Sequence, residues 1–322
     1  MELTPTNLQF LFQAANFKYQ SAYARRKTYH ELYAETMPSG TEIEVYPWLA
    51  ELTGMREWVG PRLTASIAAR SYFLQNKPFE KTIGLDRDKI LDDQFGVFNL
   101  AVERLGEAAK RWPDDLTTTA LINGITALCF DGQPFFSSAH PVDIDDASQG
   151  TYSNRYDSTT SGALPLNNPA SYLDNFALVY AAMMSFKGES GIPLEVQPTI
   201  LMGPPQLEKY IRLICDESDT VAAVKNVAGS DNVAAAALPN PYSGLVKPVI
   251  NPRLAGDPNT WYLFSTDRIR PLVFQERKAP ELIQLISPTD PNVFMTREFL
   301  YGIDSRGAAG YTLPFLAVRA ST

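Results

Sequence analysis

The sequence predicts an α+β fold in which one domain interrupts another, and three observations carry that expectation. Apolar residues recur at helical spacing in the first and middle parts of the chain. A charged, alternating ribbon precedes the longest helix, and strand-like runs crowd the stretch after Pro239-Asn240-Pro241. Helices in the middle with strands returning late fit a chain that leaves a sheet and comes back to it.

Taken in order, Leu8, Leu11, Phe12 and Ala15 predict a short helix within Leu3 to Phe17. Arg25-Arg26-Lys27 follows as a small basic cluster, read as a solvated helix face or as a contact for a scaffold or an acidic neighbour. Met37-Pro38-Ser39-Gly40 breaks the helix, and Thr41 to Val45 alternates like a strand. Trp48, Leu49, Leu52, Met55 and Trp58 then lead to Gly60-Pro61. Aromatics of this size anchor cores or interfaces. Arg56 and Arg62 bracket the turn.

Residues 63–92 alternate around Tyr72-Phe73-Leu74 and Thr82-Ile83-Gly84-Leu85, with Lys77, Phe79, Glu80, Lys81 and Arg87 among them. So many charges suit an exposed hairpin whose two arms project roughly 30 Å at the strand rise. An isolated hairpin is marginal in water, so it must lie on another surface. From Phe95 the period changes: Phe98, Val102, Leu105, Ala109 and Trp112 form a helical stripe, which Pro113 is expected to end or kink. Asp114 caps a continuation to a stop at Asn123-Gly124.

Gln133 to Pro169 is polar, as in a long interaction loop. Tyr172 to Phe186 reads as a helix, Val196 to Met202 as a buried strand, and Pro204-Pro205 opens another helix. Strands are expected at 246–250, 261–265, 272–276, 282–286, 294–302 and 312–319, with a flexible break at Asp304 to Gly310.

Composition narrows the function classes. The 322 residues include 45% hydrophobic and 20% charged side chains, enough for an ample core and against wholesale disorder. No apolar run approaches the roughly 18 residues of a membrane span, and Met1-Glu2-Leu3-Thr4-Pro5 does not resemble a signal peptide, so a soluble cytoplasmic product is expected. A net charge of -8 argues against a general grip on phosphate backbone over the whole surface. Only two histidines and two cysteines occur, and the common nucleotide, zinc-protease and hydrolase motifs are absent. No cofactor or metal is expected. The best catalytic candidate is Cys129 with His140, assisted by Asp131, although Ala127-Leu128-Cys129-Phe130 reads as a buried apolar segment. Asp143-Ile144-Asp145-Asp146 offers oxygen ligands but reads better as a solvated turn.

Three segments in order carry a resemblance: Arg56-Glu57-Trp58-Val59-Gly60-Pro61-Arg62, Asn76-Lys77-Pro78-Phe79-Glu80-Lys81-Thr82-Ile83, and Phe130-Asp131-Gly132-Gln133-Pro134-Phe135-Phe136-Ser137-Ser138-Ala139-His140-Pro141. The chain resembles the major head subunit of Mu-like phages and prophages, which has the HK97-type capsid fold. The resemblance implies an arm and lead-in at 1–62, an extension loop at 63–94 and a peripheral domain with a long spine helix at 95–165. It further implies an inserted axial domain at 166–260 and peripheral strands returning at 261–322.

Arg56, Trp58, Arg62, Lys77, Phe79, Glu80, Lys81 and Arg87 then become candidate contacts between subunits. The implied partners are copies of the same chain in hexamers and pentamers, a separate scaffold, a portal, decoration proteins, and packaged double-stranded DNA bound without sequence preference. No membrane is implied, and closure is expected to be noncovalent. The rivals are an encapsulin-like compartment, a Cys/His hydrolase, and a tail or portal component.

Overall fold

Helix packing starts at the N-terminus, where Ala15, Tyr19 and Ala22 line one buried stripe of α1 (Pro5–Arg25). The facing stripe is Phe98, Val102, Leu105 and Ala109 on α3 (Val97–Asn123). The structure, a computed structural model, describes residues 5–49, 69–86, 88–89, 97–160, 162–168, 171–188, 191–216, 219–223, 235–287 and 289–321. Gly106 lets the two backbones meet, since a Cβ there would lie 2.4 Å from the Tyr19 carbonyl oxygen.

Both helices run past their expected ends. α1 continues beyond Phe17 because Tyr19 and Ala22 keep the apolar stripe on α3, while Lys18 and Arg25 pair with Glu103 and Glu107 of α3. Pro113 lies inside α3 without ending it. Its neighbours Trp112 and Asp114 are held by tertiary contacts, and Thr117 Oγ1 donates to the Pro113 carbonyl at 2.8 Å. Gly124 follows the stop as expected, but the reason is packing: a Cβ would press within 2.8 Å of the Phe136 ring.

α3 backs a four-stranded sheet. Its order is β1 (Ala34–Pro38), β13 (Leu272–Leu285), β14 (Glu298–Tyr311) and β4 (Lys77–Asp86). The short α2 (His30–Tyr33) leads into β1, which runs parallel to β13, whereas the other pairs are antiparallel. The expected strands at 272–276 and 282–286 are one strand, with register shifts between Glu276 and Glu281 that accommodate Pro280. The expected strand from Phe294 instead opens as the helix α6 (Pro291–Thr296).

The expected break at Asp304 to Gly310 is also corrected, because those residues lie within β14. Glycine is needed there for closeness, not flexibility. A Cβ on Gly307 would stand 2.5 Å from the Gln275 carbonyl and 2.9 Å from the Trp112 ring, and one on Gly310 would stand 2.9 Å from the Tyr72 ring.

The expected hairpin within 63–92 does not form. β3 (Ala69–Gln75) pairs antiparallel with β2 (Ile43–Leu49), from Ile43 against Gln75 to Leu49 against Ala69. β4 turns away after Asn76 and pairs with β14 along its whole length. The hairpin therefore starts upstream of the expected segment, and the charged strand is the edge of the main sheet.

A second sheet organises the middle of the chain and its end. It takes the order β11 (Lys247–Ile250), β8 (Ile200–Gly203), β12 (Trp261–Phe264), β15 (Ala317–Ala320) and β7 (Arg155–Tyr156). Helices α4 (Tyr172–Met184) and α5 (Glu208–Cys215) pack on it through Phe176, Val179, Met183, Ile211 and Ile214, with Trp261 and Val318 beneath. The strands thus do not divide at residue 260 as expected: β12 and β15 belong with β8 and β11, and only 272–311 returns to the first sheet. Two small ribbons complete the described strands, β5 (His140–Pro141) with β6 (Thr151–Tyr152) and β9 (Asp219–Ala223) with β10 (Ala235–Pro239).

Candidate assembly surfaces and a buried thiol–carboxylate–imidazole cluster

The β2–β3 hairpin is held at its root by a buried amide. Gln275 is fully buried; its Oε1 accepts from the Tyr46 hydroxyl at 2.8 Å and its Nε2 donates to Asn76 Oδ1 at 2.8 Å and to the Leu74 carbonyl. Asn76 in turn donates to Ser39 Oγ at 2.7 Å and to the Thr41 carbonyl at 2.8 Å. Glu44 accepts from the backbone N–H groups of Thr41 and Gly40 and from the Ser39 hydroxyl, which holds its carboxyl down at about 2. These bonds tie the base of the hairpin to β13 and to the 39–41 turn as one polar network.

Alternation gives the hairpin two unlike faces. Glu44 opposite Leu74 and Tyr46 opposite Tyr72 share the inner face, which carries buried Leu74 and the Tyr46 hydroxyl to the body. On the other face Val45 stands opposite Phe73, next to Ile43, and these side chains are 48%, 64% and 48% exposed. A paired apolar cluster so open to water is unusual in a lone subunit.

The candidate contact residues fall into two groups. Arg56, Trp58, Arg62 and Arg87 lie outside the described residues. Lys77, Phe79, Glu80 and Lys81 sit on β4, at the edge of the main sheet. Phe79 is engaged within its own subunit, its ring 5.5 Å from Trp112. Lys81 shares a cleft of about 170 Å³ with Phe79, Trp112, Pro280 and Ile303. The Glu80 carboxylate accepts from Thr82 Oγ1 at 3.0 Å, and Lys77 and Lys81 remain exposed. Charges and Pro78 along an edge strand discourage indiscriminate strand pairing.

Cys129, Asp131 and His140 do come together, as the candidate hydrolase required. Cys129 Sγ donates to Asp131 Oδ1 at 2.8 Å, His140 Nδ1 lies 2.6 Å from Asp131 Oδ2, and His140 Nε2 donates to the Phe135 carbonyl at 3.2 Å. The arrangement is wrong for a nucleophile. Asp131 stands between thiol and imidazole, and burial together with that carboxylate pushes the Cys129 thiol well above its ordinary value. Burial alone would raise Asp131, but the hydrogen bonds from His140 and Cys129 outweigh it and hold the carboxyl below its usual range.

The acidic run is a turn, as its solvated reading holds. Asp143 Oδ1 accepts from the Asp145 and Asp146 N–H groups, and Asp146 from that of Ser148. Asp114, read as a helix cap, instead accepts from the N–H groups of Tyr29 and His30 and from His30 Nδ1 at 2.9, 2.8 and 2.9 Å.

Sequence reasoning missed Gln275 and the Ile43–Val45–Phe73 face, and it singled out Asn76 within a motif without its part in the hairpin root. The two alternating runs at 43–49 and 69–75 held the signal, because they mirror each other in register.

A helix-backed sheet built on the long β13–β14 pair, a second sheet carrying the middle of the chain, and an extended ribbon bonded to β13 of the first make up the arrangement to be compared with known proteins. Over 99% of its length and 76% of its counterpart's, the chain matches a subunit in the procapsid of bacteriophage JBD30, at 24% identity and a TM-score of 0.59. It is 25% identical to the major capsid protein of Escherichia phage Mu over 319 residues, covering 99% of this chain and 74% of that one. The Mu-like prophage FluMu major head subunit of Haemophilus influenzae is also 25% identical, over 96% of this chain and 71% of the relative. Residues 8–173 and 241–322 match the family model of the Mu-like prophage major head subunit gpT, and the chain belongs to that family. It is a major capsid protein with an HK97-like α+β fold, and neither the encapsulin nor the hydrolase reading is favoured. Its place is the virion capsid. None of the helices among the described residues is long and apolar enough to cross a membrane.

Proposed function

We propose that the subunit closes into an icosahedral shell of hexamers and pentamers by laying its β2–β3 hairpin on the neighbouring copy, and that the shell encloses double-stranded DNA without reading its sequence. The observation that carries this is the exposed Ile43–Val45–Phe73 face on a hairpin whose root is rigidly bonded. Covering the half or so of those three side chains that is still exposed is worth roughly 1–2 kcal/mol each, repeated at every subunit boundary by symmetry. The net charge of -8 supports an interior that does not trap the polymer. A separate scaffold during assembly, a portal at one vertex and decoration proteins outside complete the reading, with assembly in the host cytoplasm. Lys77, Glu80 and Lys81, along with Arg56, Trp58, Arg62 and Arg87, are assigned to subunit boundaries; Phe79 contributes by holding β4 on Trp112.

The test is the double variant Val45→Asp, Phe73→Asp, expressed with its assembly partners. Circular dichroism and electron microscopy are expected to find folded, soluble subunits or capsomers and no closed shells. Normal shells from this variant would refute the docking role.

A further inference from the structure

We propose that Cys129, Asp131 and His140 form a mononuclear site for a borderline divalent cation, zinc foremost, through Sγ, a carboxylate oxygen and Nδ1. One ligand atom from each residue lies within 4.8 Å of the other two. In a tetrahedral zinc site with Zn–S near 2.3 Å and Zn–N near 2.0 Å, ligand atoms stand about 3.3–3.6 Å apart. Sγ and Nδ1 already stand 2.8 and 2.6 Å from the two Asp131 oxygens, so small side-chain rotations that open these contacts admit the ion.

The orientation of the imidazole is the second, independent observation. His140 Nε2 donates to the Phe135 carbonyl, which also accepts from Asn154 Nδ2 at 2.8 Å. That bond assigns a hydrogen to Nε2 and turns Nδ1 towards the thiol and carboxylate. A ligating histidine is held in this way when its second nitrogen donates to a backbone carbonyl. The ring is further fixed by Tyr152, stacked at 5.2 Å, across the β5–β6 pair. The other two ligands share a tight turn: Cys129 N–H donates to the Gln133 carbonyl, Gly132 N–H to the Cys129 carbonyl, and Gly132 supplies a φ of +79°. His140 is fully buried and Cys129 nearly so, directly beside exposed Leu128, so the site lies just below the surface, within reach of a water as fourth ligand.

Protons and charge balance. The cluster holds one hydrogen on Sγ, donated to Oδ1, and one shared across the 2.6 Å contact between Nδ1 and Oδ2. Both leave as the dication binds, forming Sγ–metal, Nδ1–metal and carboxylate–metal bonds with water in the fourth position. No electrons are exchanged, and the buried pocket carries the same net charge before and after. The metal would brace the turn after α3 against the ribbon whose Tyr152 packs on Phe186 at the edge of the second core. This site is independent of how shells assemble.

Chelator-treated full-length protein, titrated anaerobically with Co²⁺, is the test. One Co²⁺ per chain is expected, with a thiolate-to-cobalt charge-transfer band, intense tetrahedral visible bands, stoichiometric displacement by Zn²⁺ and release of about two protons per ion. The chain has only two cysteines, so the band belongs to Cys129 or Cys215. Cys215→Ser is expected to keep it, Cys129→Ser to lose it, and His140→Ala to weaken binding at least about tenfold. If Cys129→Ser or His140→Ala fails to fold, wild type and Cys215→Ser decide alone. A weak octahedral spectrum without a thiolate band overturns the proposal, as does a band lost in Cys215→Ser.

Discussion

At the scale of single residues, several glycines are set by what presses on them. Gly106 is the clearest case, because two effects oppose each other. Alanine in a helix interior is ordinarily favoured over glycine by about 1 kcal/mol. Here the added methyl would sit 2.4 Å from the Tyr19 carbonyl oxygen and 3.2 Å from the Ala22 methyl, and the first of these is backbone that cannot swing aside. Forced overpacking costs about 1–3 kcal/mol and outweighs the propensity gain. Gly106→Ala is therefore expected to lower the urea midpoint of the unassembled subunit and to make α1 more sensitive to protease. A raised midpoint would mean that α1 and α3 are not packed this closely. Nothing in the one-dimensional pattern distinguishes Gly106 from a helix defect, since the partner that explains it lies 87 positions upstream in Tyr19. The same holds for Gly307, whose neighbour is Trp112, and this is why the run from Asp304 to Gly310 reads as a break.

At the scale of elements, local periodicity was legible and pairing was not. The α3 stripe of Phe98, Val102, Leu105 and Ala109 is buried as its spacing requires. The strands around Leu74 and Ile83 are real too, but adjacency suggested that they pair with each other. Tertiary partners decide otherwise: Gln275 fixes the root of β2–β3, and β14 takes β4 as an edge. Gln275 could not be singled out in a sequence because its three partners come from Tyr46, Leu74 and Asn76. Replacing it tests how far the root governs the ribbon. Gln275→Leu keeps the volume but removes the acceptor of the Tyr46 hydroxyl's bond and the donor to the Leu74 carbonyl and Asn76 Oδ1. At roughly 1–3 kcal/mol for an unsatisfied buried group, local opening should become much easier. Hydrogen exchange is expected to speed up at 43–46 and 72–76 while the helices α4 and α5 stay protected. Unchanged exchange across both strands would mean that the polar root is incidental.

At the scale of the whole molecule, the ordered motifs pointed to the family, while the sheet membership of the chain's end escaped them. β12 and β15 join β8 because Trp261, Leu263 and Val318 complete the core beneath α4 and α5, a non-local requirement invisible in either strand alone. The remaining question at this scale is how subunits stay together. Both cysteines are buried, so a disulfide mesh has no exposed thiol to start from. Lys77 and Lys81 are exposed on β4 at the edge of the main sheet, and a covalent mesh would need one of them to form an amide with an asparagine of a neighbouring copy. That bond needs a carboxylate base and an asparagine aligned at the ammonium group, and such near-attack geometry is exacting. Around β4, Glu80 is occupied by Thr82, and Asp304 accepts both of its short contacts from Lys278. Noncovalent closure is therefore expected, with stability coming from repeated apolar contacts such as the Val45–Phe73 face. Mature particles boiled in SDS without reductant should run as a single band near 35.7 kDa. A ladder of higher bands that disappears in Lys77→Ala or Lys81→Ala would establish a covalent mesh instead and move the weight of closure from the hairpin to the sheet edge.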